Sequence, residues 1–441
     1  MKVKLFSYLF FIFSLGLFAQ ESHPLKTEDF RVQKAWVDST YQAMNLDQKI
    51  GQLFMVDIFS SKSKAETDKI KELIKENYIG GIIFSKGGPM RQAKLNNEYQ
   101  ELANVPLLIG MDAEWGLAMR LDSTYAFPWN MTLGAIEDNR LIKKTGAQIA
   151  KHCKRLGVHI NFAPVADVNN NPDNPIIGNR SFGENKINVT EKAIAFMQGM
   201  HSEGVLSSAK HFPGHGDTDV DSHKSLPSLD FSKERLDSLE LYPFKRMIAE
   251  DVSSIMIGHL NVPALESRVN FPSSLSKAIV TDLLQEKLNY KGLVFTDALN
   301  MRGVADYDEP GEIDLAAFQA GNDILLISED VPKAAEKIKQ AYLANEISEE
   351  RLAKSVKKIL SAKYKVGLNN YQPVDTNYLI EDLNSLHNDL LYEELMENAI
   401  TVIKNNKGVL PVRDLQKQKV AYVNLGDSLT ETSFLQQLKK Y

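Results

Sequence analysis

Cysteine is nearly absent from this sequence: the 441 residues include a single one, Cys153. One thiol cannot form an intrachain disulfide, and it cannot supply a cluster of thiolate ligands to a metal. We therefore expect Cys153 to behave as a small buried apolar residue. The chain also lacks the composition of a disordered, collagen-like or coiled-coil protein, because 43% of its residues are hydrophobic and 24% are charged.

An excess of basic charge is missing as well. The sequence has 51 Lys and Arg against 57 Asp and Glu, which gives a formal net charge of -6. It contains no basic run and no basic stripe with interleaved aromatic residues. Nucleic acid is therefore not an expected partner.

The first twenty residues differ from everything after them. Lys2 and Lys4 precede an apolar run over residues 5–18, which ends at Ala19-Gln20. This order is typical of a secretory signal peptide, and about fourteen apolar residues are short for a membrane span; a buried core helix is the alternative. A lipoprotein anchor would need a cysteine where Gln20 stands. We predict a signal peptide over 1–19 and an exported protein, periplasmic or secreted, with no stable membrane insertion after cleavage.

Eight short apolar runs alternate with segments of helical period. The runs lack polar alternation, as expected of strands buried on both faces of a parallel sheet, and the intervening segments carry their charges on one side. Eight strand–helix alternations predict an α/β fold, a (β/α)8 TIM-type barrel over residues 30–367 with a leading helix at about 30–44. The runs lie at residues 52–58, 81–84, 106–111, 159–165, 207–212, 254–260, 293–296 and 323–327, and the helical segments at 66–76, 140–156, 189–203, 236–250 and 275–288.

The pattern changes towards the end of the sequence. A Lys-rich helical segment at 352–368 closes the barrel pattern, and residues 368–399 are interpreted as a linker followed by a helix. From residue 400 the stretch TVIKNNKGVLPV leads to an apolar run at 420–425 and an amphipathic tail. One strand and one helix cannot form a domain, so residues 400–441 are predicted to be the incomplete start of a second α/β domain.

Polar residues follow the predicted strands, at the end of a parallel barrel where chemistry takes place. Taken singly, each has an ordinary explanation: Asp297 could be a helix N-cap, and His259 a core histidine with both nitrogens satisfied. The spacing of Asp217, Asp219 and Asp221 suggests a calcium loop, but the sequence lacks the Gly and the final Glu of that loop. The histidines of the same stretch could bind zinc, but no helical face would hold them in position. We expect neither metal nor cofactor. The segments are MDAEWGLAMR after the third run, GNRSFGE after the fourth, KHFPGHGDTDVDSH in and after the fifth, His259 at the end of the sixth and FTDALNM across the end of the seventh.

These motifs together resemble the glycoside hydrolase family 3 β-N-acetylhexosaminidases of the NagZ type, over about residues 30–370. The resemblance implies that Asp297 is the nucleophile, that His223 is the general acid/base, and that Asp221 orients His223. It also implies that a group of side chains binds the terminal N-acetylglucosamine. This group comprises Asp112, Arg120, Arg180, Lys210 and His211.

Two further residues are candidate substrate contacts. His259 ends the sixth run, and Trp115 stands where many family members have glycine. We expect Trp115 to narrow the mouth of the barrel or to stack on a sugar. Gly214 and Gly216 are expected to act as hinges for the loop that carries Asp221 and His223.

The chemistry fits these residues without the resemblance. A retaining glycosidase needs a carboxylate that attacks the anomeric carbon and an acid on the other side of the bond, and histidine titrates near neutrality. The sequence therefore predicts an exported, retaining exo-β-N-acetylglucosaminidase that forms a covalent glycosyl-aspartate and acts on carbohydrate such as peptidoglycan fragments or chitooligosaccharides. A β-glucosidase-like or phosphorolytic enzyme and a non-catalytic sugar-binding barrel are the alternatives.

Overall fold

The computed structural model of the chain describes residues 23–406, 408–423 and 433–440. The signal peptide predicted over 1–19 lies outside these residues. The chain divides into two compact units after Ala399. The first unit holds every strand that the structure describes.

Eight parallel strands form one sheet in the order β7-β6-β5-β4-β3-β2-β1-β8. A parallel bridge between Phe295 and Ile324 brings β7 beside β8, so the sheet curls into a nearly closed barrel. Each strand falls on one of the eight predicted runs, and the predicted (β/α)8 barrel is confirmed. The strands are β1 (Phe54–Phe59), β2 (Gly81–Lys86), β3 (Leu108–Met111), β4 (Ile160–Asn161), β5 (Leu206–Phe212), β6 (Ser254–Ile257), β7 (Leu293–Thr296) and β8 (Leu325–Leu326).

The barrel interior is filled with side chains. The rings of Phe162 and Phe295 meet edge to face with their centroids 5.2 Å apart. Gly110 in β3 leaves room for this packing, because a Cβ there would lie 2.8 Å from the ring of Phe162. Access to the site is therefore from the ends of the strands, since a packed core and not a pore runs through the barrel.

Helices cover the outside of the barrel and supply the connections. The leading helix, the crossover helices and the Lys-rich helix all occur close to their predicted positions. The α-helices are α1 (Phe30–Ala43), α2 (Leu46–Gly51), α3 (Lys64–Glu76), α4 (Pro89–Leu102), α5 (Asn130–Gly134), α6 (Asn139–Arg155), α7 (Lys186–Ser202), α8 (Lys233–Ser238), α9 (Leu241–Ala249), α10 (Arg302–Ala305), α11 (Glu312–Ala320), α12 (Val331–Leu343), α13 (Glu349–Lys365), α14 (Leu379–Leu383) and α15 (Leu386–Ala399).

Two predicted helices have a different form. The segment 236–250 is not one helix, because α8 ends at Ser238 and α9 begins at Leu241. Pro243 has no N–H to bond back across this gap, and it lies in the first turn of α9, where proline is tolerated. The segment 275–288 is a single 3-10 turn, Ser273–Leu275, followed by a π-helix, Ala278–Lys287.

The second unit starts at Ile400. Its described residues contain a 3-10 turn, Leu415–Lys417, and the helix α16 (Ser433–Leu438). The run predicted as a strand is irregular over 420–423, and its last two residues lie outside the described part. The prediction of a strand is therefore wrong for the four residues that can be assessed.

Two further findings concern membrane-spanning helices and the single cysteine. Within residues 23–406, 408–423 and 433–440, no helix is both long and apolar enough to cross a membrane. Cys153 is fully buried in α6, and burial raises the pKa of its thiol to about 12. Cys153 is thus the inert core residue that was predicted.

Candidate active site

A cavity of about 420 Å³ opens at the carboxyl-terminal mouth of the barrel. Its wall consists of residues at or just past the strand ends, where parallel barrels carry their chemistry. Seven of the residues predicted from sequence meet in it: Asp112, Arg120, Arg180, Lys210, His211, His223 and Asp297. The other polar side chains in its wall are Asp57, Ser85, His215, Ser222 and Asn300.

Five charged side chains form one side of the site, and we call them the ion-pair network: Asp112, Glu114, Arg120, Arg180 and Lys210. Lys210 lies in β5, and its Nζ is 2.7 Å from Asp112 Oδ1 and 2.8 Å from Glu114 Oε1. Arg120 donates to the second oxygen of Asp112. Burial alone would raise the pKa of Asp112, but the charges of Lys210 and Arg120 outweigh burial and hold that pKa well below its usual range.

Glu114 supports the network from behind. Its carboxylate accepts two bonds from Arg180, from Nη2 at 2.8 Å and from Nε at 3.0 Å. It is completely buried and does not line the cavity. Burial opposes its ionisation, yet the charges of Arg180 and Lys210 lower the pKa of Glu114 to about 2. The carboxylate is therefore charged at neutral pH, and it fixes the guanidinium that faces the cavity.

A second buried carboxylate, Asp167, orients two histidines of β5 and its loop. It accepts the backbone N–H of His215 at 2.7 Å and that of His211 at 3.1 Å, and it lies 2.8 Å from His211 Nδ1. Burial raises the pKa of Asp167, but neighbouring His211 and its hydrogen bonds bring the pKa below the usual value. An ionised carboxylate can only accept, so His211 carries its proton on Nδ1.

Asp297 stands at the end of β7 and faces the cavity. The N–H of Ala298 donates to its Oδ1 at 2.8 Å, which holds the carboxylate in place. Although burial acts in the opposite direction, His211, His259 and this N–H lower the pKa of Asp297. The group is an ionised, oriented carboxylate at neutral pH, as a nucleophile must be.

The loop after β5 carries Asp221 and His223, and His223 lines the cavity. His223 Nδ1 lies 2.9 Å from Asp221 Oδ1, and the His223 N–H donates to the same oxygen at 2.9 Å. Burial raises the pKa of Asp221, but these bonds lower it below its usual value, so Asp221 is ionised and Nδ1 of His223 must carry a proton. Proton exchange with a substrate therefore falls to Nε2.

Ser222 fastens this loop to the barrel. Its Oγ lies 3.2 Å from Nε2 of the buried His215, and its carbonyl oxygen accepts the N–H of Gly303 at 3.1 Å. His223, the next residue, has 58% of its side chain exposed. The loop is thus held at one residue while the imidazole beside it remains accessible.

Gly214 and Gly216, the expected hinges, lie where the base of the loop packs closely against its neighbours. A Cβ on Gly216 would lie 1.9 Å from the carbonyl oxygen of Val168, and one on Gly214 would lie 2.7 Å from Cβ of Glu240. This packing requires glycine at both positions, and their role as hinges stays a prediction.

Two predicted substrate contacts do not line the cavity. His259 is fully buried, with Nδ1 2.7 Å from Ser274 Oγ and Nε2 3.0 Å from the carbonyl oxygen of Ala298. Both nitrogens are occupied, so His259 is a core histidine that supports the peptide after Asp297, and the prediction that it contacts substrate is corrected. Trp115 lies outside the cavity wall and stacks on Trp129.

The calcium and zinc alternatives find no support in the arrangement of these side chains. Asp217 receives Arg235 Nη2 at 2.9 Å, and Asp221 faces His223. No group of three or more His, Cys, Asp or Glu is placed to hold a metal ion among the described residues.

Sequence reasoning assigned no function to Glu114, Asp167 or the pair His215 and Ser222. All four lie in the motifs or at the strand ends that drew attention to the site. For the two acids the available signal was their place just past a predicted run: Glu114 is three residues past the third run, and Asp167 is two residues past the fourth. The partner of such an acid comes from another strand, so the sequence could not name it.

A charged cavity with an oriented carboxylate and an accessible imidazole, at the mouth of a parallel barrel, has the groups that glycoside hydrolysis needs. Comparison of the sequence with known protein families supports this assignment. The Glycosyl hydrolase family 3 N terminal domain matches residues 45–362. The chain belongs to glycosyl hydrolase family 3.

Relatives and solved structures of this family carry hexosaminidase names. Beta-hexosaminidase A of Pseudoalteromonas piscicida is 34% identical over 416 residues, which cover 84% of this chain and 69% of the relative. A beta-N-acetylglucosaminidase/beta-glucosidase of Cellulomonas fimi is 26% identical, over 86% of this chain and 68% of that protein. The structure of a family 3 beta-N-acetylglucosaminidase from Paenibacillus superposes with a TM-score of 0.75 at 36% identity, over 81% of this chain and 69% of that one.

Proposed function

We propose that this protein is a retaining, exo-acting β-N-acetylglucosaminidase that releases terminal β-linked N-acetylglucosamine from glycans. The observation that carries the proposal is that Asp297 and His223 line one cavity, together with four members of the ion-pair network: Asp112, Arg120, Arg180 and Lys210. The hexosaminidase names of the relatives support the choice of sugar.

In the first step, an oxygen of Asp297 attacks the anomeric carbon while Nε2 of His223 gives its proton to the departing glycosidic oxygen. The bond to the leaving group breaks as the bond to Asp297 forms. In the second step, Nε2 takes a proton from water, and the water oxygen displaces Asp297 from the sugar. Asp221 binds Nδ1–H of His223, which leaves Nε2 to give the proton in the first step and to take one in the second.

The ion-pair network and His211 position the sugar. Arg120, Arg180 and Lys210 direct N–H donors into the cavity, and the Asp112 carboxylate accepts hydroxyl protons. Because these groups are already bonded to one another, little ordering is needed when the substrate binds. Such positioning turns the attack by Asp297 into a reaction between groups that are held together.

The test compares hydrolysis of 4-nitrophenyl β-N-acetylglucosaminide with hydrolysis of the matching β-glucoside. We expect the N-acetylglucosaminide to be preferred, and Asp297→Ala to lower its kcat/KM at least about a thousandfold. Asp237→Ala, at an exposed aspartate that pairs only with Lys245, is the matched control. Equal rates for Asp297→Ala and the unmodified chain would refute the proposal, and binding without turnover would favour a sugar-binding barrel.

Two alternative chemistries are outcomes of the same assay. A preference for the glucoside would indicate the β-glucosidase activity that the Cellulomonas relative also carries in its name. Release of a sugar 1-phosphate in phosphate buffer would indicate phosphorolysis. Free N-acetylglucosamine as the sole sugar product in that buffer supports hydrolysis.

We also propose that the protein acts outside the cytoplasm, on peptidoglycan fragments or chitooligosaccharides. The support is the sequence of the first twenty residues, with Lys2 and Lys4 before an apolar run. N-terminal sequencing of the protein from its natural host is expected to begin at Gln20. A cytoplasmic protein that starts at Met1 would contradict this proposal.

A further inference from the structure

One carboxyl group in the wall of the active-site cavity has no role in the reaction described above. Asp57 lies in β1, whose sequence FMVDIF is otherwise apolar. It lines the same cavity as Asp297 and Lys210. A charged residue in the middle of a barrel strand is costly to bury, so its presence needs a physical explanation.

The side chain of Asp57 points into the barrel. Side chains alternate along a strand, so Asp57 faces the same way as Met55, two residues before it. A Cβ on Gly110 would lie 3.3 Å from Met55 Sδ and 2.8 Å from the ring of Phe162, which places Met55 in the packed interior. Asp57 is one layer nearer to the carboxyl end of the strand, where it is partly exposed. Its carboxyl group is therefore presented to the cavity from the barrel interior.

This carboxyl group lacks a protein partner. Within the part of the chain that the structure describes, no other residue forms a hydrogen bond or an ion pair with it. Burial raises the pKa of Asp57, and its own N–H and the charge of Lys62 offset this only in part. Lys62 is itself paired with Glu66 at 2.9 Å. The two oxygens of Asp112, in contrast, are both bonded to members of the ion-pair network.

Asp57 also lies on a different side of the barrel from Lys210. The sheet closes between β7 and β8, so three strands separate β1 from β5 in either direction, and these two strands lie across the barrel from one another. Among the described residues, the polar side chains that β1, β2 and β8 give to the cavity wall are Asp57 and Ser85. The rest of this part of the wall is apolar and consists of Phe59, Ile83, Leu326 and the adjoining Ile327.

The substrate can supply the partner that Asp57 lacks. A polar group without a partner in the free protein gains one when a matching ligand binds, and it discriminates against a ligand that cannot bond to it. N-acetylglucosamine carries hydroxyl donors around its ring, and carboxyl oxygens accept such donors. We propose that Asp57 is a further substrate-binding residue, which accepts a hydrogen bond from one sugar hydroxyl on the β1 side of the cavity.

This inference rests on the proposed function and adds a specificity to it. The ion-pair network holds the sugar from its own side of the barrel, and Asp57 reads one hydroxyl from another side. A terminal sugar in which that hydroxyl is missing or blocked by a substituent is therefore expected to be a poor substrate.

A metal ion is the other partner to consider. A hard cation such as Ca²⁺ takes about six to eight oxygen ligands, which one carboxyl group cannot provide. Over residues 23–406, 408–423 and 433–440, no group of three or more His, Cys, Asp or Glu is placed to hold a metal ion. A sugar hydroxyl therefore fits Asp57 better than a cation does.

The experiment measures kcat/KM of the unmodified chain and of Asp57→Ala on 4-nitrophenyl β-N-acetylglucosaminide and on three derivatives that each lack one hydroxyl, at C3, C4 or C6. We expect Asp57→Ala to lower kcat/KM on the parent substrate at least about tenfold, as for the loss of a hydrogen bond to a charged group. On one derivative the loss should stay within about twofold, because both partners of the bond are then absent. Asp57→Asn, which keeps an acceptor oxygen, should lose less than Asp57→Ala. Asp237→Ala, at the exposed pair with Lys245, should change none of these values.

A stability measurement separates this role from a structural one. A carboxyl group without a partner does not stabilise the fold, so Asp57→Ala should leave the urea midpoint of unfolding unchanged or raise it. An unchanged kcat/KM on the parent substrate would overturn the inference, and so would an equal loss on the parent and all three derivatives.

Binding distinguishes failure of this inference from failure of the proposed function. Absence of hydrolysis by the unmodified chain would refute the proposed function. In the Asp297→Ala background, we expect Asp57→Ala to weaken binding of N-acetylglucosamine at least about tenfold, whether or not the unmodified chain turns over. Equal binding with and without Asp57→Ala would overturn the contact with the sugar.

Discussion

The two sides of the cavity are built in opposite ways. The ion-pair network is buried at its centre, where Lys210 is 2% exposed and Glu114 is not exposed at all. Lys210 contacts the carboxylates of Asp112 and Glu114, and Glu114 contacts both Lys210 and Arg180. Another part of the cavity wall carries His223 on a loop, where the imidazole contacts Asp221 and is more than half exposed. The side chains that we propose to hold the sugar ring are thus immobilised, whereas the proposed acid/base is left accessible.

This difference fits what the proposed two-step reaction requires of each group of residues. A sugar ring must be held in one position while the carboxylate of Asp297 attacks, so immobile donors and acceptors are an advantage. The acid/base must approach a leaving group in one step and a water molecule in the next. An exposed imidazole that contacts Asp221 and follows the anchored Ser222 can serve both.

The largest effect is expected from breaking the buried side. Glu114→Gln keeps the size of the side chain but removes the charge that holds Arg180 and Lys210. Breaking a buried ion pair leaves a charge without compensation, so we expect a loss of about 3 kcal/mol in the free energy of unfolding and a large fall in kcat/KM. Chemical unfolding and kinetics measure both. Glu394→Gln, at an exposed pair with Lys144, is the control. It should change the free energy of unfolding by no more than a few tenths of a kcal/mol and leave kcat/KM unchanged.

The same variant has a pH signature. The pKa of Glu114 is about 2 in the folded protein, below the value of about 4.3 for an unfolded glutamate. Its stabilising contribution is therefore complete above pH 4.3 and is lost as the pH falls towards 2. Glu114→Gln should show a shallower loss of stability over that window than the unmodified chain. Parallel stability curves over this window would show that the glutamate is not held as described.

A smaller effect is expected on the exposed side. Ser222→Ala removes the contact with His215 while keeping the backbone, and a hydrogen bond of this kind contributes about 1 kcal/mol. We expect kcat/KM to fall about fivefold on an alkyl glycoside and to change little on a 2,4-dinitrophenyl glycoside, because only the former needs a well-placed acid. A uniform fall on both substrates would mean that Ser222 acts on the fold and not on His223. Ser39→Ala, at an exposed serine of α1, is the matched control.

The fold was predictable because its signal is local. Each of the eight strands coincides with a predicted run, although β5 also carries polar residues such as Lys210 and His211, and charged helical segments or loops separate the strands. The break between α8 and α9 also has a local sequence signal, Pro243. It was missed because the apolar period continues across the break and only the backbone bonding changes.

The site was predictable as a set of residues but not as a network. Strand ends and motifs brought Asp112, Lys210 and Asp297 together correctly, since the carboxyl ends of parallel strands meet at one mouth. Partners such as Glu114 with Arg180 come from different loops, and their pairing depends on side-chain directions that a linear sequence does not contain. His259 shows the same limit: its position at a strand end suggested contact with substrate, yet its ring turns into the core.

The most direct test of the central claim is the dependence of the rate on the leaving group in His223→Ala, measured with a series of aryl and alkyl β-N-acetylglucosaminides with and without azide. If His223 and Asp297 act on opposite sides of one sugar, the variant should lose about a hundredfold or more on poor leaving groups and little in the glycosylation step on activated phenols. Azide should then accelerate turnover of the activated substrates and yield a β-glycosyl azide. A loss that is equal for all leaving groups, with no azide product, would contradict the account.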